Sequence, residues 1–186
     1  PDSGGTTGMA FGREGNLVLV NGHTATGKLT VRAGAPQRWR IVNAAKSRYF
    51  SLDLDGQAFV RIGGDGGLQE YSVDTPNFVM APGERADVIV VPTGKPGTAL
   101  TFRSFVFNRG YGSIEFRPAE ENLFAVAFAD LPAHTAAPVL KVQRPIAALS
   151  TTGATPINIE FTLEQLRDGS FEYGINHVPF WKAKPI

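Results

Sequence analysis

Apolar and polar side chains alternate at every second position along most of this chain, and that period restricts the fold more than any other feature of the sequence. In "YFSLDLDG" (49–56), Phe50, Leu52 and Leu54 share one face, while Tyr49, Ser51 and Asp53 share the other. Successive side chains of a strand point to opposite faces, so this is the pattern of a half-buried strand. "LVLVNG", "KLTVRAG", "RWRIVNAA", "QAFVRIGG", "ADVIVVP", "ALTFRSFVF" and "NLFAVAF" read the same way. Turn residues separate the runs: Asn21-Gly22, Asp55-Gly56, the glycines of 63–67 and Pro82-Gly83. Many short strands punctuated in this way predict an all-β, antiparallel-rich sandwich or barrel with little helix. The one helical candidate, "TLEQLRD" at 162–168, is short. The Asp168-Gly169 pair that ends it reads better as a hairpin turn.

Composition narrows the function classes. Apolar residues make up 42 % of the 186, enough to bury a core. Lys and Arg number 18 against 17 Asp and Glu, so no basic excess is available to track phosphates and no nucleic-acid partner is expected. No apolar run approaches the ~18 residues of a membrane helix. Cysteine is absent, which excludes disulfides and thiolate metal sites without identifying a compartment. The opening "PDSGGTTG" carries neither a signal-peptide pattern nor an initiator Met; a removed leader or an upstream domain stays open.

The chain divides by composition. Residues 1–15 are Gly-, Ser- and Thr-rich and read as a loose segment. The strand-rich block occupies 16–131. Residues 132–156 carry Pro132, Pro138, Pro145 and Pro156 among Ala and Thr, and read as a linker laid along a surface, with one short strand at "PVLKV". Alternation restarts at 157–186 with Ile157, Ile159, Phe161 and Leu163, then Phe171, Tyr173 and Ile175. Thirty residues of hairpin cannot bury a core alone, so this stretch reads as the start of a second domain.

The residues that carry chemistry are sparse. His23, His134 and His177 lie more than 40 residues apart, and none forms the i, i+2 pair that strand-borne copper or zinc sites use. They read as turn and loop histidines, and no metal ligand is assigned. "GGDGG" (63–67) lacks the Lys-Ser/Thr of a phosphate loop, and Gln69 stands where a dinucleotide fingerprint needs Gly. It reads as a tight strand crossing, with Gly chosen for left-handed backbone or close approach. The carboxylates read mostly as solvated or capping groups. Asp65 is the exception, because it is the only side chain projecting from among four glycines. "SFVFNRGYGS" (104–113) brings Phe107, Arg109 and Tyr111 into a strand end and loop. Two readings stand there: a ligand wall, or a core-facing aromatic set with one surface Arg. No catalytic residue is assigned.

The order of motifs resembles a known family. "LVLVNG" at 17–22, "RWRIVNAAKSRYFSLDLDGQAFVRIGGDGGL" at 38–68 and "VMAPGERADVIV" at 79–90 are similar to the middle, cupredoxin-like Greek-key domain of three-domain multicopper oxidases. That family includes laccases, copper-efflux oxidases and bilirubin-oxidase-like enzymes. "FEYGINHVPFW" (171–181) resembles the opening of the third domain, with His177 where Gly is usual. The family's H-x-H-G, H-x-H, H-P-x-H-x-H-G and H-C-H copper motifs are absent.

The resemblance implies a non-catalytic spacer that holds the first and third cupredoxin domains at the spacing their copper cluster needs. It implies no cofactor in this chain, but a type 1 copper and a trinuclear cluster in a secreted or periplasmic parent oxidase. Asp65, Phe107, Arg109 and Tyr111 become candidates for one wall of the substrate cleft. Self-association through 157–186 is a further expectation, because an unpaired hairpin exposes apolar side chains and strand edges. Two other classes compete: a stand-alone β-sandwich module binding carbohydrate or protein, and a small hydrolase with paired carboxylates.

Overall fold

The computed structural model describes residues 12, 14–15, 17–24, 27–109, 120–135, 139, 141 and 144–184. The chain forms two compact units, 1–146 and 147–186.

In chain order the first unit contains β1 (Leu19–Val20), β2 (His23–Thr24), β3 (Gly27–Val31), β4 (Gln37–Val42), β5 (Phe50–Leu54), β6 (Phe59–Gly64), β7 (Gly67–Thr75), β8 (Asn77–Met80), β9 (Arg85–Val90), β10 (Ala99–Phe105) and β11 (Glu120–Phe128). They build a five-stranded sheet in the order β3-β11-β10-β5-β8, a four-stranded sheet in the order β4-β9-β6-β7, and the small β1-β2 hairpin. Every pairing is antiparallel except β3 with β11. The alternation predicts a sandwich or a barrel, and the two main sheets form the sandwich.

Alternation becomes burial. In β9, Ala86, Val88 and Val90 are fully buried, while Arg85, Asp87 and Ile89 face away from the core. Leu54, Phe59, Met80 and Val126 are likewise completely covered. Each such side chain contributes about 1.5–3 kcal/mol on leaving water. Rings interlock edge to face in this core: Phe59 on Phe78 at 5.1 Å and Trp39 on Phe102 at 5.4 Å.

The alternation reading did not pick out β7 or β8. The strand β7 lies at a sheet edge, with Tyr71 and Val73 58 % and 54 % exposed, so it has no clean buried face to mark. At four residues, β8 is too short for a period to register. The proline-rich stretch after Asp130 runs past β7: the Lys141 carbonyl accepts the Ser72 N–H at 2.9 Å, and Lys141 Nζ meets Asp74 at 2.6 Å. The short strand expected at 138–142 falls mostly outside the described residues.

The second unit is a three-stranded antiparallel sheet of β12 (Phe161–Gln165), β13 (Phe171–Ile175) and β14 (Val178–Pro179), closed by a single 3-10 turn at Phe180–Lys182. "TLEQLRD" is strand and turn, as the Asp168-Gly169 pair predicts. Gly169 adopts φ +82°, and Asp168 Oδ1 accepts the Ser170 N–H and hydroxyl at 2.9 and 2.6 Å. Asn176 and His177 make the two-residue turn into β14, both with positive φ, 51° and 61°. That pair of angles is the type I′ hairpin turn, which favours Gly where His177 stands.

Candidate functional site

Asn43, Glu84, Arg85 and Asp65 lie at the end of the sandwich where β4 leaves its sheet and β9 enters. Asn43 follows β4 and is 3 % exposed. Its Nδ2 donates to the Arg48 carbonyl at 2.8 Å and to the Met80 carbonyl at 3.0 Å. Its Oδ1 accepts the Ala45 N–H, and its own backbone pairs with Glu84 and Gly83. One buried amide therefore ties the 43–48 loop to the Pro82-Gly83 turn. Its polar atoms are satisfied, as burial demands.

The charged motif residues pair with one another across the four-stranded sheet. Arg38 grips Asp87 with two parallel hydrogen bonds of 2.9 and 2.6 Å. That fork holds the Asp87 carboxyl below its ordinary range, against the opposing effect of partial burial, and raises Arg38. Arg61 Nη2 donates to Glu84 Oε1 at 2.8 Å, and Glu84 Oε2 accepts the Ala81 N–H at 2.9 Å. Arg85 pairs with Asp65.

Asp65 sits in the tight β6–β7 turn, not on a loop opening a helix. The glycines around it serve the crossing: a Cβ on Gly63 would lie 2.8 Å from the Gly67 carbonyl oxygen, and Gly67 has φ +95°.

Arg109 and Phe107 lie elsewhere in the network, around Tyr49. The rings of Tyr49 and Phe107 stack at 5.7 Å, and the Arg109 guanidinium lies 5.6 Å from the Tyr49 centroid. Arg109 Nη1 donates to the Ser47 carbonyl at 3.3 Å, and its Nη2 lies 3.5 Å from Glu14. Arg48 completes the cluster with Glu121 at 2.5 Å and Glu14 at 3.8 Å. The Arg109 side chain is only 7 % exposed, so it is a buried tie and not the surface Arg that one reading expected. No described contact joins this cluster to Asp65. Tyr111 falls outside the described residues.

Sequence reasoning did not single out Asn43, Glu14 or Arg48. The "R-x-R-x-x-N" spacing is the only signal of Asn43, and nothing local announces that Glu14 reaches Arg48 and Arg109 across the fold.

The multicopper oxidase family matches residues 1–109. The chain belongs to the multicopper oxidase family. This multicopper oxidase segment is 42 % identical over 87 residues to the laccase of Bacillus subtilis, covering 46 % of this chain and 17 % of that protein. It is 30 % identical over 166 residues to the cell division protein FtsP of Xenorhabdus nematophila, covering 87 % of this chain and 33 % of that one. The chain thus spans a third or less of these relatives.

Among solved structures, the laccase of Pediococcus acidilactici superposes with a TM-score of 0.60 at 26 % identity, over 76 % of this chain and 28 % of that one. The McoA multicopper oxidase of Aquifex aeolicus superposes with a TM-score of 0.67 at 22 % identity, over 89 % and 35 %. The fold is cupredoxin-like.

Copper is the cofactor that this family implies, and the residues present do not fit it. The chain has three histidines and no cysteine. His23 lies in β2, His134 is exposed, and His177 is engaged by Glu160 and Glu164. Among the described residues, no group of three or more His, Cys, Asp or Glu converges as a metal site. Also among them, no helix is long and apolar enough to cross a membrane.

Proposed function

We propose that this chain is the non-catalytic middle domain of a laccase-like multicopper oxidase, followed by the first strands of a third domain. On this reading the chain divides as 1–15, 16–131, 132–156 and 157–186. The observation that carries the proposal is what the family motifs do. Arg38, Asp87, Arg61, Glu84, Asp65 and Arg85 spend their charges on one another, and Asn43 spends its amide on the frame. Motifs used in this way make a rigid spacer. The parent enzyme would couple one-electron oxidation of a phenolic or metal-ion substrate to reduction of O2 to water, with its copper held by the domains on either side. Such an oxidase works outside the cytoplasm, in the periplasm or as a secreted protein. Asp65, with the segment carrying Phe107, Arg109 and Tyr111, would form part of the substrate-cleft wall; the half-exposed Asp65 carboxylate supports that role.

Copper titration tests the reading. After incubation with Cu(II) and dialysis, this chain is expected to retain no stoichiometric copper, show no blue absorption band and oxidise no phenolic dye. The full-length protein is expected to do all three, and its reading frame to carry H-x-H-G upstream and H-P-x-H-x-H-G downstream. Tight stoichiometric copper in the isolated chain would overturn the proposal.

A further inference from the structure

An acid or amide side chain directly before glycine stands at four places: Asn21-Gly22, Asp55-Gly56, Asp65-Gly66 and Asp168-Gly169. Such pairs can cyclise, because the glycine nitrogen has no neighbouring side chain to shield it and can approach the preceding side-chain carbon closely. The three aspartates are engaged. Asp55 accepts the Thr101 N–H at 2.7 Å and pairs with Arg103. Asp65 accepts the Arg85 N–H at 3.0 Å, and Asp168 accepts the Ser170 N–H at 2.9 Å. Asn21 differs. Its side chain makes no hydrogen bond among the described residues, and both it and Gly22 are exposed. A Cβ built on Gly22 would meet nothing within 4 Å.

The other hairpin turn supplies an internal comparison. Asn21 and Gly22 have φ of 52° and 81°, close to the 51° and 61° of Asn176 and His177. At Asn176 the amide is tied down: Oδ1 accepts the Glu160 N–H at 2.8 Å, and Nδ2 donates to the Asn158 carbonyl at 3.3 Å. The imidazole of His177 also crowds the nitrogen that would have to attack. The same backbone turn thus occurs once with its amide held and once with it loose. The strands around the loose one are two residues each, pairing Leu19 with Thr24 and Val20 with His23. A hairpin of that size is marginal by itself, so local opening gives Asn21 the freedom that ring closure needs.

We propose that Asn21-Gly22 is a self-modification site, where Asn21 converts to a mixture of aspartate and isoaspartate. The Gly22 amide nitrogen loses its proton and bonds to Asn21 Cγ. The Cγ–Nδ2 bond breaks, ammonia leaves, and a five-membered succinimide closes. Water then opens either ring carbonyl. One opening gives aspartate; the other routes the main chain through Cβ and Cγ and lengthens it by one carbon. The balance is one water consumed and one ammonia released, with no oxidant or reductant. Each event takes the formal net charge from +1 to zero. The products differ in their effect on the fold. Asp-Gly suits the same two-residue turn, whereas the extra backbone carbon of isoaspartate does not. This hairpin packs Val20 against the core and follows the buried Val18, so the isoaspartyl product loosens that side of the sandwich.

The test ages the native chain at mildly alkaline pH and isolates the more acidic product by ion exchange. Peptide mapping with electron-transfer fragmentation then separates isoaspartate from aspartate. Asn21 is expected to convert first, while Asn43 and Asn176 in the same digest remain amides. Gly22→Ala is expected to slow conversion roughly tenfold, although a φ of 81° strains the turn for alanine, because the methyl group shields the nitrogen. The isolated isoaspartyl chain is expected to unfold at lower urea than the unmodified one, and Asn21→Asp to keep the unmodified midpoint. Conversion at Asn176 as fast as at Asn21 overturns the proposal, and so does faster conversion in Gly22→Ala. A native chain that stays unmodified while the urea-unfolded chain converts shows that the hairpin holds the turn shut, which also overturns it. An isoaspartyl chain with an unchanged midpoint overturns the consequence drawn for the sandwich.

Discussion

Asp65 Oδ1 accepts the backbone N–H of Arg85 at 3.0 Å, and the Arg85 Nε lies 3.1 Å from the same oxygen. One carboxylate thus clamps the β6–β7 turn to the first residue of β9, while its own side chain stays 53 % exposed. A frame role and a cleft role therefore compete at this residue, and they separate experimentally. In the isolated chain, Asp65→Ala and Arg85→Ala are each expected to cost about 1 kcal/mol or less, because exposed pairs are screened. Urea denaturation of both single variants and the double variant measures the coupling. If the proposed parent activity holds, Asp65→Ala in the full-length protein is expected to change KM for phenols more than it changes copper content. Parallel loss of both would assign Asp65 to the frame alone.

Asn43→Ala is expected to be far more damaging. It strands the Arg48 and Met80 carbonyls and the Ala45 N–H at a site that is 3 % exposed. An unsatisfied buried group costs about 1–3 kcal/mol, so a loss of roughly 2–4 kcal/mol is expected by urea denaturation. A loss as small as that of Asp65→Ala would show that the 43–48 loop is held by its flanking strands.

His177 is expected to give the second unit a pH dependence. The hydrogen bond that His177 Nδ1 donates to the Glu164 carboxylate at 3.1 Å raises its pKa first, and the nearby Glu160 charge adds to this. A folded-state pKa above the unfolded one means that the contribution is fully present below the ordinary histidine range. It is lost as pH rises through the raised value. NMR titration is expected to show the His177 midpoint falling in Glu164→Gln. His177→Gly suits the φ of 61° and removes this titration, so the hairpin is expected to gain relative to wild type at high pH and lose at low pH. A pH-independent difference between the two would remove Glu164 and Glu160 from the account.

The second unit leaves Phe161, Phe180 and Trp181 70–84 % exposed, with Leu163, Phe171 and Tyr173 57–67 % exposed. Self-association is the expected result, measured by sedimentation at rising concentration. Deleting 157–186 is expected to leave the first unit's cooperative unfolding intact and make the chain monomeric. Loss of that unfolding transition would make the hairpin integral to the sandwich and move the domain boundary.

Period-two alternation was enough to predict an all-β sandwich or barrel and the face each side chain takes, because a one-residue slip would turn Val88 and Val90 outward and Asp87 inward. The same local logic read the Asp168-Gly169 turn and the glycine crossing at 63–67. It did not reveal β7, whose faces are both partly wet, or β8, which is too short to show a period. The absence of copper-ligand motifs was also legible, since those motifs are contiguous in sequence. What a charged side chain does was not. Asp65 meets Arg85 across 20 residues, Arg48 meets Glu121 across 73, and Arg109 reaches Ser47 across 62. Burial follows from each strand's own pattern, but which charges pair depends on how the sheets stack. Only the tertiary structure decides that, because it alone brings residues distant in sequence within hydrogen-bonding range.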